Sequence, residues 1–253
     1  MVRGSVSAPP ITVLMAVHDT PPGLLDQAVQ SIRSQTFGDF EFLIVDDGSR
    51  REATRAALRH HTASDPRIRL LREPHRGLTR TLNRGLDAAR GQWIARQDAD
   101  DWSDAGRLEC QLAFFDRHPD HGLCGTAACT HRQDGRPLWA VPMPGSTAEI
   151  LEAFPTRNPF VHGSTMFRAE GARALGGYRD QFPCSQDYDF FWRLTERESA
   201  ANLPEALYHY RYTAGAVSVS RAAEQELAHT ALQQAVHIFT TLMILECTFL
   251  RII

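Results

Sequence analysis

The chain has 253 residues, 43% hydrophobic and 23% charged, enough to bury one large core or two small ones. Its formal net charge is −3 with basic residues scattered along the chain, which argues against a nucleic-acid groove. All 27 Lys-plus-Arg positions are arginine, so any mechanism needing a lysine Schiff base or a phosphate-loop lysine is excluded.

Ile11 to Val17 is a nearly continuous apolar run, the pattern of a central parallel strand buried on both faces. It ends in His18-Asp19-Thr20-Pro21-Pro22, a turn and helix start, after which Leu24, Leu25, Ala28, Val29 and Ile32 recur at helical spacing. A second strand, Phe40 to Val45, runs into Asp46-Asp47-Gly48-Ser49. Arg51 to His60 reads as a helix and Ile68 to Leu71 as a short third strand. Gly77 precedes a helix to Ala89 with Leu78, Leu82, Leu86 and Ala89 on one face. Trp93 to Ala95 then reads as a buried strand that leads into Asp98, Asp100 and Asp101. Four such alternations in about 100 residues predict a parallel, doubly wound sheet.

The second half changes character. Arg107 to His118 reads as an amphipathic helix, Gly122 to Thr126 as a strand, and the Pro- and Gly-rich stretch Arg132 to Ser146 as a hairpin or mobile loop. Asn158 to Ser164 leads into a strand over Thr165 to Arg168, and Gly176 to Arg179 is a turn. Gln186-Asp187-Tyr188-Asp189 opens an apolar-periodic segment, Phe190 to Leu194; Leu207 to Tyr212 is strand-like. From Ala222 the pattern is helical, and residues 235–253 are strongly apolar. At about 19 residues, interrupted by His237, Glu246 and Arg251, that run suits a packed or membrane-surface helix better than a span. The five cysteines (Cys110, Cys124, Cys129, Cys184, Cys247) form no CxxC pair, which argues against a disulfide framework or a structural zinc site. The first ten residues lack the apolar run of a signal peptide, and a reducing, cytoplasmic setting is expected.

Chemistry concentrates where strands end. Three carboxylates within Asp98 to Asp101 repel one another, and burying one unpaired is costly, so they stay exposed or share a cation. Their hard oxygens suit Mg2+ or Mn2+, and a strand's carboxyl end is where open α/β sheets bind ligands. The plainer alternative is an acidic helix start, since Asp favours caps and first turns. Neither GxGxxG after the first strand nor GxxxxGK[ST] anywhere is present. Asp19, Asp46-Asp47 and Asp98 to Asp101 stand in their place, and a bridging metal is the simplest way to reconcile acids with a phosphate-bearing ligand.

Five landmarks occur in order: the strand ending near Asp19, Val45-Asp46-Asp47-Gly48-Ser49, Gly77-Leu78-Thr79…Leu82-Asn83, Ile94 to Asp101, and Gln186-Asp187-Tyr188-Asp189. Over residues 11–215 the chain resembles the inverting family-two glycosyltransferases of GT-A fold. The resemblance implies a GT-A-type α/β fold, a Rossmann-like, mostly parallel twisted sheet flanked by helices, with a C-terminal helical tail. It divides the chain into a nucleotide-sugar and metal-binding half (1–105), an acceptor and catalytic-base half (106–220), and the tail (221–253). It implies that Asp47, with Asp46, meets the nucleotide base beside the strand end at Val17 and Asp19. Arg80 is implied near the phosphates, Asp98 and Ala99 at the ribose, and Asp100 on Mn2+ or Mg2+. Asp187, preceded by Gln186 where a glutamate is common, matches the catalytic base, and His162 sits beside donor and acceptor. Thr213 stands where many relatives carry a histidine ligand, leaving His209 as a substitute. Trp139 is a candidate for stacking on a sugar; the other cysteines and histidines read as structural.

The implied reaction is sugar transfer from a nucleotide-sugar, a UDP-sugar first, to a carbohydrate, lipid-linked or other glycoconjugate acceptor. It would serve cell-envelope polysaccharide synthesis, at the inner face of the membrane if residues 235–253 attach there or to a partner. The rivals are a sugar-phosphate nucleotidyltransferase, which usually needs a basic, glycine-rich first loop, and a catalytically inactive carbohydrate-binding relative.

Overall fold

The computed structural model describes residues 8–182, 184–212, 230, 233 and 234. The expected tail, 221–253, and its membrane role therefore lie outside the described residues, apart from the helical positions Thr230, Gln233 and Gln234. Among the described residues no helix is long and apolar enough to cross a membrane.

The first half follows the alternation of the sequence: β1 (Ile11–Val17), α1 (Pro22–Arg33), β2 (Phe40–Asp47), α2 (Glu52–Ser64), β3 (Ile68–Glu73), α3 (Leu78–Ala88) and β4 (Trp93–Asp98). These strands are all parallel, in the order β3-β2-β1-β4. β1 divides its side chains between two cores. Ile11, Val13 and Met15 pack with Leu25, Val29 and Ile32 of α1, whereas Leu14 packs on the other face with Leu82 and Leu86 of α3. A strand covered by helices on both faces has no polar side to show, which explains its unbroken apolar run.

The second half adds β5 (Trp102–Ser103), α4 (Arg107–Arg117), β6 (His121–His131), β7 (Pro137–Val141) and α5 (Thr147–Ala153). A 3-10 turn (His162–Ser164), β8 (Met166–Arg168), α6 (Ala169–Ala174), α7 (Gln186–Thr195) and β9 (Ser199–Arg211) complete it. The sheet continues β4-β8-β6-β9-β5, with β7 beside β6, and here it is mixed: only β6 and β9 pair in parallel. The parallel reading thus describes the first four strands and not the rest. Arg132 to Ser146 resolves as a hairpin, closed by Arg132 and Arg136 around Gly135 at φ 85°. Its last residue, Ser146, forms a capping box with Glu149 and starts α5, a helix absent from the sequence reading.

The crossover into β4 depends on a close approach. The Gly91 N–H donates to Thr12 Oγ1 (2.8 Å), which donates to Glu41 Oε2 (2.9 Å). A Cβ on Gly91 would lie 2.3 Å from the Thr12 backbone nitrogen and 2.6 Å from the Ile11 carbonyl carbon. Backbone cannot rotate aside as a side chain does, so Gly91→Ala should cost roughly 1–3 kcal/mol, read as a fall of several degrees in the thermal midpoint. An unchanged midpoint would show that this crossover has slack.

Candidate active site

After β3 the chain crosses to the far side of β1 to lay down β4, opening a crevice at the carboxyl ends of these two strands. Asp98 closes β4 there. Arg96, only 1% exposed, sends Nη2 to Asp98 Oδ1 (2.6 Å) and Nη1 to the carbonyls of Gln97 and Leu14. Tyr208 of β9 accepts the Asp98 backbone N–H (3.2 Å) and donates its hydroxyl to Asp101 Oδ2 (2.9 Å). The other oxygen of Asp101 accepts the Arg211 N–H (2.7 Å).

The three acids are therefore sorted. Burial raises the pKa of Asp98, but the Arg96 charge beside it outweighs burial and leaves a net depression. Asp101 is buried and held by Tyr208 and Arg211; burial, with Asp98 and Asp100 adding repulsion, pushes its pKa well up. Asp100 is half-buried, and desolvation followed by the Asp98 charge raises it too. Among the described residues no basic side chain pairs with Asp100, so one hard oxygen ligand with a second acid beside it is left uncompensated. That donor set fits Mn2+ or Mg2+.

A cavity of about 380 Å³ brings Asp98 together with His162, Gly163, Asp187, Trp139 and Tyr210. Asp187 lies in the first turn of α7, and its Oδ2 accepts from Asn158 Nδ2 (2.9 Å). His162 Nε2 meets the Tyr178 hydroxyl at 3.0 Å. Burial and then the nearby Arg96 charge lower the His162 pKa to about 4, so the imidazole is neutral at pH 7. The turn approaches β4 so closely that a Cβ on Gly163 would lie 1.9 Å from the Tyr208 hydroxyl and 2.7 Å from Asp98 Oδ2. Arg107 of α4, fully buried, pins it by donating Nη1 to the carbonyls of Gly163 (2.8 Å) and Arg96 (2.9 Å).

The other expected residues sit beside this cavity and not among its lining. Val17 is buried and in register with Asp46. Asp19, at φ 50°, accepts the N–H groups of Arg50 and Arg51, both at 2.7 Å. Asp46 Oδ1 accepts the Ser49 N–H (2.9 Å). Asp47 accepts from the N–H groups of Arg76 (2.7 Å) and Gly77 (3.0 Å) and meets His75 Nδ1 at 2.8 Å. These carboxylates tie loops together, and beside them His18 and His75 stack with ring centroids 4.1 Å apart. Arg80 is exposed on α3 and paired with Asp180 (2.7 Å). Ala99 and Gln186 are buried, and Gln186 Oε1 has no hydrogen-bond partner among the described residues. Sequence reasoning assigned no role to Arg96, Arg107, Tyr178, Tyr208, Asn158 or His75. The one signal available was an arginine, Arg96, inside an apolar strand.

A four-stranded parallel half ending in an Asp-x-Asp at its switch point, joined to a mixed half that contributes the facing carboxylate, is the plan of the GT-A glycosyltransferases. The mannosyltransferase PcManGT from Pyrobaculum calidifontis, solved in complex with GDP-Man and Mn2+, superposes with a TM-score of 0.69 at 18% identity, over 92% of this chain and 65% of its own. That likeness shows the fold. The sequence profile of Glycosyl transferase family 2 matches residues 12–176, and the chain belongs to this family of glycosyltransferases. Putative glycosyltransferase EpsE of Bacillus subtilis is 34% identical over 213 residues, covering 81% of this chain and 74% of EpsE. O-antigen biosynthesis glycosyltransferase WbnJ of Escherichia coli is 29% identical over 242 residues, 94% of each chain.

The neutral His162 has a consequence for stability. Its folded pKa of about 4 lies below the ordinary 6.5, so between these values the unfolded chain binds more protons. The contribution of His162 is therefore intact above pH 6.5 and is lost as pH falls toward 4. In urea unfolding at a series of pH values, the parent should lose stability relative to His162→Gln across that window, by at most about 1.4 kcal/mol per pH unit. A pH-independent difference between the two would mean His162 is not held neutral.

Proposed function

We propose that the protein is an inverting, divalent-metal-dependent glycosyltransferase that moves a sugar from a nucleoside-diphosphate sugar to a hydroxyl of a growing polysaccharide or glycoconjugate. The observation that carries this reading is the cavity in which Asp98, at the end of the nucleotide-type half-sheet, shares a wall with Asp187. An acceptor hydroxyl is a poor nucleophile, and Asp187 would take its proton as it attacks. Asn158 holds one Asp187 oxygen by a hydrogen bond, and Asp187 lies in the first turn of α7. Direct attack opposite the leaving group inverts the anomeric centre and needs one base, where a retaining hydrolase needs two carboxylates. His162, neutral and tethered to Tyr178, offers a hydrogen bond without adding positive charge. Trp139, 56% exposed, gives the cavity an aromatic face for a sugar ring.

On the donor side, Asp98 would face the ribose, with Ala99 packed behind it. The stretch from Val17 and Asp19 to Asp46 and Asp47 would form the base end, where Asp47 would act partly through the His75 it holds. Arg80 would have to leave Asp180 to reach a phosphate. Asp100, with Asp98 beside it, would hold Mn2+ or Mg2+; when bound, such an ion neutralises charge that develops on the departing diphosphate. Residues 1–105 would thus serve the donor and 106–220 the acceptor and base, with Gln186, next to Asp187 in sequence, contributing to substrate binding. WbnJ is named for O-antigen biosynthesis, which supports a polysaccharide acceptor, carbohydrate or lipid-linked, met at the cytoplasmic face of the membrane. A UDP-sugar is the first donor to test, GDP-sugars the second. Release of nucleoside diphosphate, and not pyrophosphate, separates this reading from a nucleotidyltransferase.

Two outcomes are expected. Asp187→Asn should fold normally and bind UDP with metal as the parent does, yet turn over slower by at least roughly 10² at saturating substrates; near-parental turnover removes Asp187 as the base. Calorimetric titration with UDP should show binding that weakens sharply in excess chelator, and Asp100→Ala should reproduce that loss with Mn2+ present. Equal affinity with and without the ion would overturn the metal assignment.

A further inference from the structure

Side chains alternate along β6 and β9. Ala128 and Thr130 of β6 and Tyr210 of β9 line the cavity described above. The residues that alternate with them, Cys129, His131 and His209, share the opposite face, where Cys129 and His209 are cross-strand partners. Their ligand atoms, Cys129 Sγ and one ring nitrogen from each histidine, lie within 4.8 Å of one another. His131 Nε2 and His209 Nδ1 are 3.0 Å apart, and His131 Nδ1 meets the Gly135 carbonyl at 3.0 Å. A carbonyl only accepts, so Nδ1 of His131 carries the proton and Nε2 presents a lone pair toward His209. This is the outer hydrogen bond that orients metal-bound imidazoles. The indole of Trp102 stacks on His209 at 5.1 Å and 10°, holding that ring in place.

We propose that Cys129, His131 and His209 form a second metal site, selective for a thiophilic divalent ion of the Zn2+ class and separate from the hard-ion site at Asp100. One thiolate and two imidazoles are the donors such ions prefer, whereas Mg2+ and Mn2+ prefer the carboxylates. Zn–S and Zn–N bonds of about 2.3 and 2.0–2.1 Å place three donors on one ion after a small adjustment of the observed spacing. On binding, the Cys129 thiol releases its proton, and the proton between the two histidines moves to Nε2 of His209. The fourth position stays open to water. The ion would clip the β6–β7 hairpin to β9 from behind, fixing the strands whose front faces carry Thr130, Trp139 and Tyr210 into the cavity. His209 is thereby assigned away from the catalytic ion: Tyr208 turns toward Asp98 and Asp101, and His209 turns the other way. The absence of a CxxC pair hid this site, because its ligands come from strands adjacent in the sheet and 78 residues apart in sequence.

Cobalt is a direct probe, since Co2+ reports thiolate ligation by a sulfur-to-metal charge-transfer band and tetrahedral geometry by intense visible bands. The full chain, stripped by chelator and titrated with Co2+, should develop both at one equivalent per chain, with Zn2+ and not excess Mg2+ bleaching them. Asp100→Ala should keep the spectrum, Cys129→Ala should lose the charge-transfer band, and His209→Ala should weaken Co2+ binding by at least about tenfold. Zn2+ should raise the thermal midpoint of the parent but not of Cys129→Ala. A parent with no charge-transfer band at saturating Co2+, a band that survives Cys129→Ala, or one lost in Asp100→Ala overturns the proposal. The parent spectrum decides even if a variant fails to fold, and none of these readings depends on sugar transfer.

Discussion

The site hangs on a guanidinium buried inside a strand. Taking Arg96 out of water costs several kcal/mol unless its donors are met; Asp98 and the carbonyls of Leu14 and Gln97 meet Nη1 and Nη2, while Nε has no partner among the described residues. This pairing holds the Asp98 carboxylate ionised at the cavity wall. It also sets the charge seen by everything nearby: Arg96 helps keep His162 neutral and, after burial itself, helps lower the pKa of Arg107 to about 10. From Arg96 the connections run through Asp98 to Tyr208, Asp101 and Arg211, joining β4 to β9. The acid cluster is thus a neutralised network with one carboxylate, Asp100, left over.

A chain without lysine can build this way because the guanidinium forks. Arg211 reaches the carbonyls of Asp100 and Gln133 and the Gln27 side chain; Arg193 binds Asp189 and the carbonyls of Leu175 and Gly177. An ammonium, a compact point charge, does not offer this planar spread of donors. The same pairing separates two acids that look alike in sequence. Asp189 is buried against Arg193 and Arg179, while Asp187, two residues earlier on the helix, faces the cavity.

What the sequence discloses follows from how each element is buried. β1, β2 and β4 are covered on both faces, so their apolar runs are continuous and legible. β6 is buried just as deeply but largely through Gly, Ala, Cys and Thr, so only its first part, Gly122 to Thr126, reads as a strand and its continuation to His131 does not. β9 is broken by Pro204 and Glu205, where its register against β6 shifts. At the candidate site, Asp98 and Asp187 read as acids at element ends, whereas His162 is marked by the family resemblance alone. Asp19, Asp46 and Asp47 carry the same signature, but each gives at least one oxygen to backbone N–H groups of a neighbouring loop. Only the fold distinguishes a carboxylate that caps a loop from one that faces a cavity. Arg96 and Arg107 are hidden for the converse reason, since an arginine reads as surface until its acceptors are known.

Gly163 shows why the two halves act as one site. The turn carrying His162 sits so near β4 that its neighbours, the Tyr208 hydroxyl and Asp98 Oδ2, occupy the space a side chain would fill. Asp98 belongs to the parallel half and Tyr208 to the mixed half, and Arg107 fastens the turn to the β4 backbone from below. A displacement of Asp98 therefore presses on the turn, and through the turn on His162. Likewise, movement of β9 pulls Tyr208 from Asp98 and Asp101 and withdraws hydrogen bonds from two acids at once. Packing this tight has few intermediate positions. The geometry that would meet a nucleotide and the geometry that would meet an acceptor are, for this chain, set by the same few atoms.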